Sequence, residues 1–186
     1  MQEIRFHGRG GQGTVVASIL LAKAFFNSGY HVQSFPAFGV ERRGAPVEAY
    51  LRIDSQKILS RTQITTPDHV VIQDRQLLET VAVTNGLKKG GWVLVNAADA
   101  VDFPKETEGF RLAFVDASAI GAANSLGTRT HPIINTAMIG ALARILNEPL
   151  LAEVEKAIME NISTRPEGNV AAAVQAYETV DFSSSG

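Results

Sequence analysis

Ile4-Arg5-Phe6-His7-Gly8-Arg9-Gly10-Gly11-Gln12-Gly13-Thr14-Val15-Val16 runs from a short apolar segment through a glycine cluster into a long apolar one. The order predicts strand, loop, helix. Gly8, Gly10, Gly11 and Gly13 all fall within six residues. Lacking a Cβ, glycine takes positive φ and lets other groups approach the backbone. Where such a loop opens a helix, the first N–H groups have no internal partner and point outward. With the helix dipole they can hold an anion, most often a phosphate. The alternative is structural: a tight turn and close helix–strand packing.

Gly8-x-Gly10-x-x-Gly13 also satisfies the dinucleotide fingerprint, which requires an acid about 20 residues on, at the end of the second strand. That strand, residues 30–35, ends without one, and the next acid is Glu41, beyond Pro36. The glycine loop therefore reads as a phosphate or close-approach site rather than an NAD site.

Working outward, residues 14–27 read as a helix with little polar face, buried on most sides and stopped at Asn27-Ser28-Gly29. A strand–helix–strand unit follows, and its two strands are expected to be parallel. The loop Pro36-Ala37-Phe38-Gly39-Val40-Glu41-Arg42-Arg43-Gly44-Ala45-Pro46 leaves the same strand edge as the glycine loop. Ligands of open α/β sheets bind at that edge. Arg42 and Arg43 each offer a fork of donors suited to phosphate or carboxylate. Pairing with Glu41 and plain solvation are the bland alternative.

Residues 47–53 alternate and read as a strand, open to antiparallel pairing because no helix precedes them. Buried strands are expected at 69–73 and 92–96, with a helix from Asp74 to about Val83 between them. Residues 110–115 form the last expected strand, and Asp116 caps a short helix. The remainder is helical: 135–147 with Pro132 in a first turn, 151–160, and 170–179 after a turn at Glu167-Gly168-Asn169. Asn135-Thr136 reads as a cap. Strands alternating with helices, then helices alone, predict an α/β fold: a three-layer α/β/α single domain with a mostly parallel sheet and a helical C-terminal third. The domain spans 1–181, and 182–186 is expected to be a frayed tail.

The whole chain bounds its chemistry. Its 186 residues suffice for one domain with a substantial core. A net charge of -2 gives no reason to expect nucleic acid or an anionic membrane. No stretch reaches the about 20 apolar residues of a membrane helix. Cysteine is absent, which removes disulfides, thiolate zinc sites, a cysteine nucleophile and cysteine-ligated iron–sulfur clusters from this chain. It also fits a cytoplasmic location. The four histidines, His7, His31, His69 and His131, show no metal-ligand spacing, and only His7 lies beside the glycine loop. Nothing marks a nucleophile elbow, a P-loop or an acid–base pair. Two classes stay open: a standalone nucleotide- or flavin-binding oxidoreductase, and a subunit whose reactive cofactors sit on other chains.

The combined motifs resemble a known family. Phe6-His7-Gly8-Arg9-Gly10-Gly11-Gln12-Gly13 followed by residues 35–47 is similar to the gamma subunit of 2-oxoacid:ferredoxin oxidoreductases. The likeness continues through Leu87-Lys88-Lys89-Gly90-Gly91, Asn135-Thr136-Ala137-Met138-Ile139-Gly140-Ala141-Leu142 and Glu167-Gly168-Asn169. Gly39-Val40-Glu41-Arg42-Arg43-Gly44-Ala45-Pro46 resembles the pyruvate and 2-ketoisovalerate branch. Asn147-Glu148 departs from relatives that carry glycine there. The resemblance implies conversion of a 2-oxoacid, coenzyme A and oxidised ferredoxin to acyl-CoA, carbon dioxide and reduced ferredoxin. It implies thiamine diphosphate and iron–sulfur clusters on alpha, beta and delta partner subunits, since this chain carries neither cysteine nor a thiamine motif. Ferredoxin would be met through the complex. Coenzyme A contact is implied for this chain, at Gly8, Arg9, Gly10, Gly11, Gln12, Gly13, Arg42 and Arg43. A purely structural interface subunit is the rival within the family.

Overall fold

In the computed structural model, which describes residues 1–37, 44–99 and 109–182, strand β1 (Gln2–Arg9) leads into helix α1 (Thr14–Asn27). Strands β2 (His31–Pro36) and β3 (Pro46–Asp54) follow, then β4 (His69–Ile72) and the one-turn helix α2 (Leu77–Thr80). Next come β5 (Trp92–Asn96), β6 (Arg111–Val115) and helix α3 (Ala117–Ala123). The chain ends with α4 (Asn135–Leu146), α5 (Leu151–Asn161), α6 (Pro166–Thr179) and β7 (Asp181–Phe182).

The seven strands form one sheet in the order β2-β3-β1-β4-β5-β6-β7. β1, β4, β5 and β6 pair in parallel. β3 lies antiparallel between β1 and β2, and β7 antiparallel against β6. β1 and β2 thus run the same way, as a crossover helix requires, without being neighbours. The α/β fold with a mostly parallel sheet and a helical C-terminal third matches the sequence reading.

The layers are unequal. Alternation along each strand sends Ile4, Phe6, Leu51, Val71, Leu94 and Val115 into a core with α1, α3, α4, α5 and α6. The opposite face packs Val70, Ile72, Val93 and Val95 against α2 and the segment after it, through Leu77, Val83 and Leu87.

Several boundaries differ from expectation for physical reasons. The helix expected from Asp74 to Val83 shrinks to α2, because Val81 is extended and Val83 turns into the core of the thinner face. α6 begins at Pro166, whose fixed φ and missing N–H suit a first helical turn. Glu167-Gly168-Asn169 is therefore inside the helix, not a turn before it, and the positive φ falls on Arg165. Pro132 bridges to Gly127 instead of starting α4, and Asn135 is the first residue of α4 rather than its cap, a position taken by Ile134. Asn147 closes α4 in the left-handed region at φ 57, a conformation asparagine tolerates better than most residues. Phe182 pairs in β7 and meets the Trp92 ring edge-on, so the expected fraying does not hold there. The rest of that expected tail lies outside the described residues.

Candidate functional site

The carboxyl end of β1 turns tightly. The amide of Gln12 donates to the carbonyl of Arg9 at 3.0 Å, and the Gln12 side-chain oxygen accepts from the Arg9 amide at 2.7 Å. This closes a four-residue turn with Gly11 third, at φ +97, where a side chain is strained. Among the described residues, a Cβ on Gly11 would meet nothing within 4 Å, so none of them closes the turn on that side.

Gly13 follows in the left-handed region and starts α1 without a side-chain cap. No acidic residue sits in the first turn of α1. Among the described residues, the amides of Thr14, Val15 and Val16 meet no acceptor; the first intrahelical bond is from Ala17 to the carbonyl of Gly13. A 14-residue helix thus presents an uncompensated positive end beside an open turn.

Gly8 and Gly13 serve packing. A Cβ on Gly8 would stand 2.1 Å from Thr14 Oγ1 and 2.7 Å from Gln73 Oε1. One on Gly13 would stand 2.6 Å from Asn135 Nδ2. The Thr14 hydroxyl donates to Gln73 Oε1 at 2.6 Å, which ties the start of α1 to the residue after β4. Gln73 is fully buried, and its Nε2 has no partner among the described residues. Asn135 brings the start of α4 against the start of α1.

Arg9 is engaged inside the chain. Its Nε donates to Asp74 Oδ2 at 2.6 Å, and other guanidinium nitrogens reach Gly44 O at 3.2 Å and Gln76 Oε1 at 3.5 Å. Gly10 N to Ala45 O and Gly44 N to Gly10 O add two backbone links. Arg9 therefore fastens the glycine turn to the segment before β3. Arg42 and Arg43 lie outside the described residues.

His7 points to the thinner face and is 2 % exposed. Burial pushes its imidazolium pKa down to about 4; Glu48 opposes that shift and Arg5 adds to it. Glu48 Oε2 also accepts from the Tyr50 hydroxyl at 2.7 Å, and burial first, then this bond, raises that phenol to about 12. His7 thus belongs to a buried polar network below the turn, not to its open side.

Asp74, Gln73, Thr14 and Asn135 are the parts of this site that sequence reasoning did not assign to it. Asp74 carries the sequence signal of a helix cap, but its Oδ1 accepts from Gln76 N in the turn before α2, whose N-cap is Gln76 itself. Gln73, a polar residue closing a buried apolar strand, was the available sign. Among the described residues no cluster of acids and histidines forms a metal site, and no helix is long and apolar enough to cross a membrane.

The family model described as pyruvate ferredoxin/flavodoxin oxidoreductase matches residues 3–179. A pyruvate synthase subunit PorC from Methanocaldococcus jannaschii is 49% identical over 179 residues, covering 95% of this chain and 96% of the relative. The common gamma subunit of the pyruvate/ketoisovalerate oxidoreductases of Thermococcus kodakarensis is 50% identical over 182 residues, covering 95% and 96%. Among solved structures, pyruvate oxidoreductase subunit PORC from Thermotoga maritima superposes with a TM-score of 0.82 at 35% identity, covering 98% of both chains. The fold recurs in the 2-oxoglutarate:ferredoxin oxidoreductase of Magnetococcus marinus, solved with 2-oxoglutarate, coenzyme A and succinyl-CoA bound. There the TM-score is 0.73 at 19% identity, over 95% of this chain and 30% of that one.

Proposed function

The chain belongs to the pyruvate ferredoxin/flavodoxin oxidoreductase family and is the gamma subunit of such an enzyme; from that premise we propose that its glycine turn contacts coenzyme A. The complex oxidatively decarboxylates a 2-oxoacid. Alpha, beta and delta partners carry the thiamine diphosphate and the iron–sulfur clusters, because this chain has no cysteine to ligate a cluster. The cofactors perform the hard chemistry on those chains, and this one supplies binding and orientation.

One observation carries the coenzyme A reading: the open turn at Gly11 stands beside the uncapped end of α1. Free amides at a positive helix end are suited to a pyrophosphate. Gly10, Gly11 and Gln12 face the ligand, Gly8 and Gly13 allow the close packing beneath, and Arg9 holds the turn in place. Arg42 and Arg43 are assigned to the same anion on their chemistry alone.

The test uses the reconstituted complex. Gly11→Val and Arg42→Ala, made separately, raise the apparent KM for coenzyme A while the complex stays assembled. An unchanged KM in both variants, with assembly intact, refutes the reading.

A second role rests on its own observation. Val16, Ile19 and Phe26 are 44%, 41% and 66% exposed and recur along one ridge of α1. β2, which α1 packs against, is one of the two edge strands of the sheet among the described residues. An apolar ridge beside a sheet edge suits docking against another subunit of the complex.

A further inference from the structure

A second cleft, of about 450 Å³, opens where α3 ends, the chain turns back at Gly127, and α6 begins. Its walls include Ser125, Thr128, Arg129 and Arg165, with Leu126 and Gly127 at the back. Among the described residues no carboxylate lines it; Glu167, in the first turn of α6, stays outside. Arg129 is exposed and makes no ion pair or hydrogen bond among the described residues. Arg165 spends one nitrogen on Ser125 O at 3.1 Å, and a guanidinium has further N–H groups to give.

The backbone here is held unusually. Ser125 at φ 54 and Arg165 at φ 51 are two of the three non-glycine residues with positive φ among the described residues, and both line this cleft. Each costs conformational energy that glycine would avoid. The Arg165–Ser125 bond ties the two strained residues together and fixes Arg165 on the cleft wall.

We propose that this cleft binds a phosphate monoester through Arg129 and Arg165. Two guanidinium forks match a dianion better than a single carboxylate, and the volume lies within the range of small-molecule sites. The phosphate has two possible sources. One is the ribose phosphate of the coenzyme A assigned to the glycine turn, which rests on that earlier reading. Residues 133–135 join the two places, with Asn135 against Gly13 and Ile133 against Gly127. The other source is a separate phosphorylated metabolite.

The probe is adenosine 3′-monophosphate, titrated calorimetrically into the full chain with adenosine as control. The wild type binds the nucleotide and not adenosine. Arg129→Glu weakens that binding about tenfold or more, and Arg165→Met weakens it too. Gly11→Val leaves it unchanged, which separates this cleft from the glycine turn. Arg129 is exposed and has no polar partner among the described residues, so its substitution leaves the fold intact, as circular dichroism verifies. In the assembled complex, the ratio of KM values for dephospho-coenzyme A and coenzyme A then identifies the source. A preference for coenzyme A that Arg129→Glu removes assigns the phosphate to coenzyme A. No change in that ratio, with nucleotide binding still lost, assigns it to a separate molecule. Absence of nucleotide binding to the wild type, or equal binding by wild type and Arg129→Glu, overturns the proposal.

Discussion

The Nε of Arg5 donates to Nε2 of His7 over 3.0 Å inside the sheet. A guanidinium can only donate, so His7 Nε2 must be unprotonated and the ring neutral, with its proton on Nδ1. That proton faces Glu48 Oε1 at 3.5 Å. Arg5 is itself anchored to the carbonyls of Val83 and Asn85. Those two carbonyl bonds tie the strand that ends in the glycine turn to the segment packed on the thinner face of the sheet.

The first prediction concerns acid. His7 and His69 are both buried, and burial lowers each to about 4 from an ordinary 6.5. His69 Nδ1 accepts from the Trp92 amide, which also favours the neutral ring. The unfolded chain protonates these histidines first, so their contribution is present above pH 6.5 and is lost as pH falls toward 4. Between pH 7.5 and pH 5 each costs about 2 kcal/mol of stability. Urea unfolding across that range shows the slope. Against the wild type, His7→Gln and His69→Gln each flatten it, and a slope unchanged in both variants contradicts the assignment.

A second prediction concerns how α4 meets α6. A Cβ on Gly140 would lie 2.1 Å from the carbonyl oxygen of Ala173. Backbone cannot retreat as a flexible side chain can. Gly140→Ala therefore forces the helices apart and costs about 3 kcal/mol. Gly90→Ala is not its equivalent: among the described residues a Cβ on Gly90 meets nothing within 4 Å, but its φ is +75, so backbone strain is at stake, about 1 kcal/mol. Thermal unfolding of the two variants ranks them in that order.

These particulars mark where the sequence was readable. α1 was legible at both ends, because Gly13 and Asn27-Ser28-Gly29 are local punctuation around an apolar run. β5 was legible as an unbroken apolar stretch. The insertion of β3 between β1 and β2 was not, since strand order depends on pairings that no local pattern records. β7 escaped because two residues carry no periodicity. Arg52, 1 % exposed, reads locally as the polar member of an alternating strand. Its burial depends on Glu3, Gln33 and Thr62, gathered from three other segments. The glycine turn was recognisable as a unit, yet the division of labour between Gly11 and its packed neighbours emerges only once Thr14, Gln73 and Asn135 surround them.

The third prediction tests the ridge on α1. Phe26→Ser removes the largest exposed apolar group of that ridge. Because the residue is largely outside the core, chain stability changes by less than about 0.5 kcal/mol. Association with the other subunits weakens, and Val16→Ser together with Ile19→Ser adds to the effect. Size-exclusion chromatography of the reconstituted complex reads the loss. Complete assembly of the triple variant at the wild-type concentration dependence rules the ridge out as an interface.

The fourth prediction separates holding the turn from binding a ligand. Arg9 and Asp74 stand 65 positions apart in sequence and meet at 2.6 Å, with Arg9 26% and Asp74 17% exposed. In that setting the pair contributes about 1 kcal/mol after screening. Arg9→Ala and Asp74→Ala each remove it, so the double variant loses less than the sum of the two. A coupling near 1 kcal/mol in unfolding experiments establishes the pair as a fastening. The kinetic consequence follows from the same geometry. Asp74→Ala loosens the turn without touching an anion, so a rise in the KM for coenzyme A in that variant comes from positioning. Arg9→Ala in the Asp74→Ala background then adds nothing if Arg9 only fastens. If it adds a further severalfold rise, the guanidinium also reaches the ligand directly, and the division between holding and binding drawn for Arg9 is wrong.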